Sequence, residues 1–269
     1  MIRYWLLMEW QKWSKHTVFR LCMAAYVVML PAILLAGKKL PDMPPPIVST
    51  KVLFMFPTVW EYLGFVGNWL TYFLFGLLGV ILITSEFSYK TFRQNVITGL
   101  DRSHFFYSKI AFYFAICLFG TLYYALVALI IGYFNTESIY WQKVWQHLDY
   151  LPRYLMMCFG YMSLGMVFGF LIKRTALALI GYLGYSFFLE PVLRWAVHRN
   201  IWQHQSMHYY PVNGFEDLVP APFIGFADDF LKQFGFSLFL TPWQAVTVST
   251  CYISLFLWIS WRIVRKSDI

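Results

Sequence analysis

The chain has 269 residues, of which 59% are hydrophobic and only 13% charged, with a mean hydropathy of +0.56 and a formal net charge of +8. Soluble domains carry about 25% charged residues, and a single water-soluble core cannot hide this much apolar surface. The composition excludes an ordinary soluble fold, and an aromatic content of 22% suits Trp and Tyr belts at a bilayer interface.

The first residues, MIRYWLLMEWQKWSKHTVFR, predict an amphipathic helix lying along a membrane interface, over residues 1–16. Tyr4, Trp5, Met8 and the aliphatic stem of Lys12 fall on one stripe, which Trp10 and Trp13 widen. The alternative is a plain extension of the first span. The apolar patch is too short, and followed by too much charge, for a cleavable signal peptide.

A helix needs about 20 apolar residues to cross the hydrocarbon core. Six stretches qualify: residues 17–36, 63–84, 105–134, 154–172, 175–195 and 242–261. The predicted fold is therefore an all-α membrane protein, one permease-sized domain over residues 1–269. Pro31 should kink or end the first span. Only Lys173 and Arg174 separate the fourth span from the fifth, which predicts a tight hairpin. Cys22, Cys117, Cys158 and Cys251 each lie in an apolar run without a CxxC partner, so they read as buried small residues.

Charge sets the orientation. With the N-terminus inside, the inner segments hold Arg3, Lys12, Lys15, Arg20, Lys90, Arg93, Arg102, Lys109, Lys173, Arg174, Arg262, Arg265 and Lys266, most of the 21 basic residues. The acidic residues go the other way: only Glu9, Glu86, Asp101 and Asp268 fall inside. This positive-inside bias places both termini in the cytoplasm and explains the net charge without nucleic acid. Three outer segments remain. The first is Pro-rich (LPDMPPPIV), the second short and polar. The third, residues 197–241, has apolar patches too short to span and reads as re-entrant or interfacial.

The segment SEFSYKTFRQNVITGLDRSHFFYSK, between spans two and three, is the longest basic stretch in mid-chain. Tyr89, Phe92 and Val96 recur at i, i+3 and i+7, an apolar helical stripe, with Lys90 and Arg93 on the opposite face. Gly99 is a helix stop and Asp101 an N-cap for the third span. Binding of anionic lipid, docking of a soluble partner and gating of a pore all fit such a helix. Elsewhere, Glu190 and Arg194 are spaced to pair across one helical turn, with Pro191 breaking the helix beside them. An intramembrane carboxylate is also a functional candidate by default. His198, His204 and His208 crowd the third outer segment, with two of them four apart, but no HExxH motif or nearby Cys supports a metal site. GMVFG in the fourth span is a GxxxG pattern for close helix packing, and Asn68 in the second can bond a neighbouring helix. No GxSxG, HExxH or paired intramembrane carboxylates point to a membrane enzyme.

The run EFSYKTFRQNVITGLDRSHFFYSKI resembles the segment after the second span in type-two permeases of ATP-binding-cassette exporters, with elements frequent in Bacteroidota-like bacteria. The shared pattern here is Glu86, Thr91, Arg93, Gly99, Arg102, Ser103 and Lys109. An N-terminal amphipathic helix, six spans and a long outer segment before the last span fit the same outline. The resemblance implies that residues 85–104 form a coupling helix, with Glu86, Tyr89, Phe92, Arg93, Val96, Gly99 and Arg102 as ATPase-coupling residues. It implies a cytoplasmic ATPase subunit as partner, a second permease copy or paralogue, surrounding membrane lipids and a bacterial inner-membrane location. It also implies an acidic-Pro pair at Glu190–Pro191, a structural break feeding the outer segment. The chain has no GxxxxGK[ST] motif, so ATP and Mg belong to the partner and this chain carries no cofactor or ATPase site of its own. A stand-alone secondary transporter or channel, or a membrane-embedded enzyme, is the alternative.

Overall fold

A computed structural model of the chain describes residues 2–38, 50–99, 101–137, 140–201, 205–222, 237 and 239–266. These residues form helices and no strand. Six helices are long and apolar enough to cross a membrane: Thr17–Gly37, Thr58–Ser88, Arg102–Asn135, Trp141–Ile172, Thr175–Ile201 and Pro242–Lys266. An N-terminal helix, Ile2–Trp13, precedes the first span, and a short helix, Thr91–Ile97, joins the second to the third.

The spans run further than hydropathy alone predicts. The second begins at Thr58 because Val59 and Trp60 are buried there, and the Trp60 indole N–H donates to the Val144 carbonyl at 3.1 Å. The first continues through Pro31 to Gly37 as one helix. The fifth passes Pro191 and ends only at Ile201, so the predicted break is absent. π-type turns flank this proline, at Tyr185–Leu189 and Val192–His198. Their wider turns bond i to i+5, which relieves the clash that a proline ring makes with the carbonyl four residues back. Lys173, in left-handed conformation at φ 56°, ends the fourth span, and Thr175 starts the fifth, giving the tight hairpin.

Spans two and four form the buried centre, and the first, fifth and sixth leave most of their surface outward. The GxxxG pattern explains the central contact. A Cβ added at Gly169 would lie 2.8 Å from Cβ of Ile83, and one at Gly79 would lie 2.5 Å from the Met162 carbonyl oxygen. Only hydrogen fits there, so the two backbones touch within one chain.

Buried tyrosines fasten the other spans to this pair. Tyr26 donates to the Gly120 carbonyl at 2.9 Å, Tyr113 to Gly79 at 2.6 Å, Tyr124 to Trp60 at 2.7 Å and Tyr182 to Tyr72 at 2.8 Å. Tyr161 donates to the Asn68 side-chain oxygen at 2.7 Å, which is the interhelical role expected of Asn68. A hydroxyl inside a bilayer must find a protein acceptor, and these carbonyls supply it. The aromatic content thus serves the interior as well as the interface. The cysteines are free thiols; Cys251 is exposed on the sixth span, not buried.

An even number of spans puts both chain ends on one side. There the Arg102 guanidinium, at the start of the third span, donates to the Arg265 carbonyl near the end of the sixth at 2.7 Å. On the other side, the helix Pro211–Glu216 is buried against the bundle: Ser249 donates to the Gly214 carbonyl at 3.0 Å, and Phe215 packs edge-on against Tyr161.

Candidate functional site: a charged joint between four helices

The second span ends in its last turn at Ser88, and Glu86 there is fully buried. Lys90 takes a left-handed φ of 55°, which stops the helix and turns the chain into Thr91–Ile97. Thr91, the first residue of the short helix, donates its hydroxyl to the Glu86 carboxylate. Phe92 is buried between Phe87 and Phe105, with ring centroids at 5.5 and 4.9 Å. Gly99 follows at φ +95°, a backbone that strains any other residue, and Asp101 caps the third span by accepting from the Ser103 N–H at 3.4 Å.

Seven residues into the third span, Lys109 is also fully buried. Its ammonium pairs with Glu86 and, at 2.6 Å, with Glu9 of the N-terminal helix. Lys12 reaches Glu86 from the same helix. Glu9 also accepts from the Trp13 indole at 3.0 Å. The ring of Trp13 lies 5.6 Å from the Lys109 ammonium and that of Phe105 at 5.4 Å. Two carboxylates and two ammoniums therefore meet with no net charge, and each buried oxygen has a charged or hydroxyl donor. Taking such ions out of water costs several kcal/mol each, offset only when geometry and extra hydrogen bonds are good. Here they are supplied by four helical elements at once. Burial, with Lys109 beside it, lowers the pKa of Lys12.

Of the sequence-predicted residues, Glu86 lies inside this joint rather than on a surface, and Phe92 faces inward with it. Tyr89 precedes the short helix and is 68% exposed, so it does not share an apolar stripe with Phe92; the left-handed turn at Lys90 separates them. Arg93 is exposed, Arg102 partly buried, and the Val96 side chain lies outside the described residues. The N-terminal helix also turns differently from the predicted stripe. Glu9 and Trp13 face inward, Trp5 stacks on Tyr107, and Tyr4 and Trp10 face out. Glu9 and Lys12 escaped the sequence reading as site residues. The spacing of Glu9 and Trp13, one turn apart, was the signal available for their shared face.

On the opposite side, the predicted Glu190–Arg194 ion pair does not form. The Glu190 carboxylate instead accepts from the backbone N–H of Val212 at 3.1 Å and of Asn213 at 2.9 Å, at the start of the Pro211–Glu216 helix. Unpaired amides at a helix start are strong competitors for a carboxylate. Of the three outer histidines, His204 lies outside the described residues, and His198 bonds the Ser206 hydroxyl at 2.8 Å.

This arrangement defines an all-α, multi-pass membrane protein with six spans and an ionic joint at the end that carries both termini. Residues 5–189 match the model of the ABC-2 family transporter proteins, and the chain belongs to that family. It is thus an ABC transporter permease; the family's members are generally non-catalytic membrane subunits that work with an ABC ATPase subunit. No curated protein matches the chain significantly. The matched stretch includes the whole joint and stops one residue before Glu190.

Proposed function

We propose that this chain forms half of a translocation path in the inner membrane of a bacterium, exporting its cargo, and that the helix Thr91–Ile97 docks on a separate cytoplasmic ATPase subunit. On this reading the side bearing both termini is the cytoplasm, a second permease copy or paralogue completes the path, and ATP and Mg bind only the partner. The observation that carries the reading is the division of labour around Glu86. Its partners Lys12, Thr91 and the buried Lys109 tie the short helix to the N-terminal helix and to spans two and three. Tyr89, Arg93 and Gln94 stay exposed just beyond. A push on the exposed residues is then passed to two spans and the interfacial helix as one body, which suits a switch between two rigid-body packings.

The test is co-purification of the full chain with a co-expressed ABC ATPase subunit, followed by an ATPase assay. Arg93→Glu combined with Tyr89→Ala is expected to abolish the association, because a docking contact loses a cation and an aromatic anchor together. Thermal stability should stay within about 0.5 kcal/mol, as for other exposed substitutions. Retained association, or transport by the chain alone at full rate without nucleotide, refutes the proposal.

A further inference from the structure

A cleft of about 360 Å³ opens on the side away from the termini, between the second span, the fifth span and the segment that follows Pro211. Phe65, Trp69 and Trp195 give it aromatic walls, and Arg194, Asn213 and Glu216 give it polar ones. Arg194 is 8% exposed, yet its guanidinium makes no hydrogen bond or ion pair among the described residues, and its Nε is buried without a partner. A buried cation left in this state is costly unless something pairs with it. The nearby carboxylates are occupied or weakly charged. Glu190 is held by two backbone amides, and Asp217 accepts from the Leu240 N–H at 3.0 Å and from the Asn213 side chain at 2.9 Å. Burial pushes the Glu216 carboxyl up to about 7. Both spans that wall the cleft also widen into π-type turns close to it, at Thr71–Phe75 and at Val192–His198. Such turns are rare in helices and concentrate where helices bind or act.

We propose that this cleft binds an anionic amphiphile, with the Arg194 guanidinium holding its carboxylate or phosphate and the Trp and Phe walls covering its apolar body. A guanidinium is suited to this, since its planar fork takes two oxyanion oxygens at once and its face stacks on aromatic rings. The ring of Trp195 already lies 5.7 Å from it. The site stands on these side chains alone and holds whether or not a nucleotide engine drives the protein.

The experiment measures quenching of tryptophan fluorescence in the full chain, purified in a neutral maltoside detergent, as dodecyl phosphate, dodecanoate, dodecanol or inorganic phosphate is added. Dodecyl phosphate and dodecanoate are expected to bind at least about tenfold tighter than dodecanol or inorganic phosphate, the difference of one charge-assisted, bidentate contact. Arg194→Gln should remove that advantage without changing the dodecanol response, and Arg194→Lys should restore part of it. Equal binding of dodecanol overturns the role of the cation, and equal binding of inorganic phosphate overturns the role of the walls. Unchanged anion binding by the Gln variant overturns the site. Should that variant fold poorly, Trp69→Leu on the opposite wall is the substitute, and undiminished binding of dodecyl phosphate to it is equally fatal. In lipid nanodiscs, competition by phosphatidylglycerol assigns the natural occupant to a membrane lipid. Its failure assigns a single-chain molecule from solution.

Discussion

The two ends of the bundle treat buried charge in opposite ways. At the termini-bearing end, Glu9, Glu86, Lys12 and Lys109 cancel one another, and every ion is held by partners from another helix. At the other end, Glu190 is satisfied by backbone amides while Arg194 makes no hydrogen bond or ion pair among the described residues. A closed network gains nothing from a further ligand, so it suits a part that must keep its shape while force passes through it. An open one presents a charge of one sign, so it suits a part that receives something.

The contrast is broken most severely at Lys109. Lys109→Met removes the ammonium shared by two buried carboxylates and leaves Glu9 and Glu86 facing each other. The expected loss is about 3–5 kcal/mol, the usual result of deleting one partner of a buried ion pair. It should appear as a large fall in the temperature of unfolding in detergent. Adding Glu9→Gln should recover much of it, since Glu86 and Lys12 then remain as a balanced pair. A Met variant as stable as the parent would mean that the joint is not held by charge.

Glu190→Ala comes next. It leaves the amides of Val212 and Asn213 buried without acceptors, at a cost of about 1–3 kcal/mol, because one carboxylate serves both. Hydrogen exchange of those two amides should rise with it. Unchanged protection would show that the carboxylate does not anchor the outer helix.

How far the sequence reveals these two ends differs for a physical reason. The six spans, the hairpin at Lys173–Arg174, the stop at Gly99 and the cap at Asp101 follow from local rules, each decided within a few residues. The joint does not. Glu9 and Lys109 are 100 residues apart, and no periodicity relates them; Lys109 stood out only through the family pattern. The Glu190–Arg194 pairing failed for a related reason. The i, i+4 rule looks only along one helix, and the carboxylate is taken by amides 22 and 23 residues further on. The stripe through Tyr89 failed at a left-handed lysine that no residue rule flags.

A smaller effect separates the ends by pH. Glu216 and Asp217 lie outside the spans, and burial raises both carboxyls to about 7. Between the ordinary carboxylate range and 7 the folded protein holds protons that the unfolded chain has released. Stability therefore rises as pH falls from 8 through 7 and is lost again as pH climbs, each pKa unit being worth about 1.4 kcal/mol before solvent screening. Unfolding temperatures measured from pH 8 to 6 should increase, and Glu216→Gln should flatten the rise. A flat profile in the parent protein would remove these carboxyls from the account of the outer end.

The smallest effect is the most telling. Arg194→Gln should lower the unfolding temperature of the ligand-free protein far less than Lys109→Met, because the guanidinium makes no hydrogen bond or ion pair among the described residues. Lys109→Met and Arg194→Gln both delete a buried cation, yet they should differ by several kcal/mol, on the order of what a buried pair loses when one member goes. If the arginine variant proves as damaging as the lysine one, Arg194 has a structural partner after all, and the outer end is as closed as the inner.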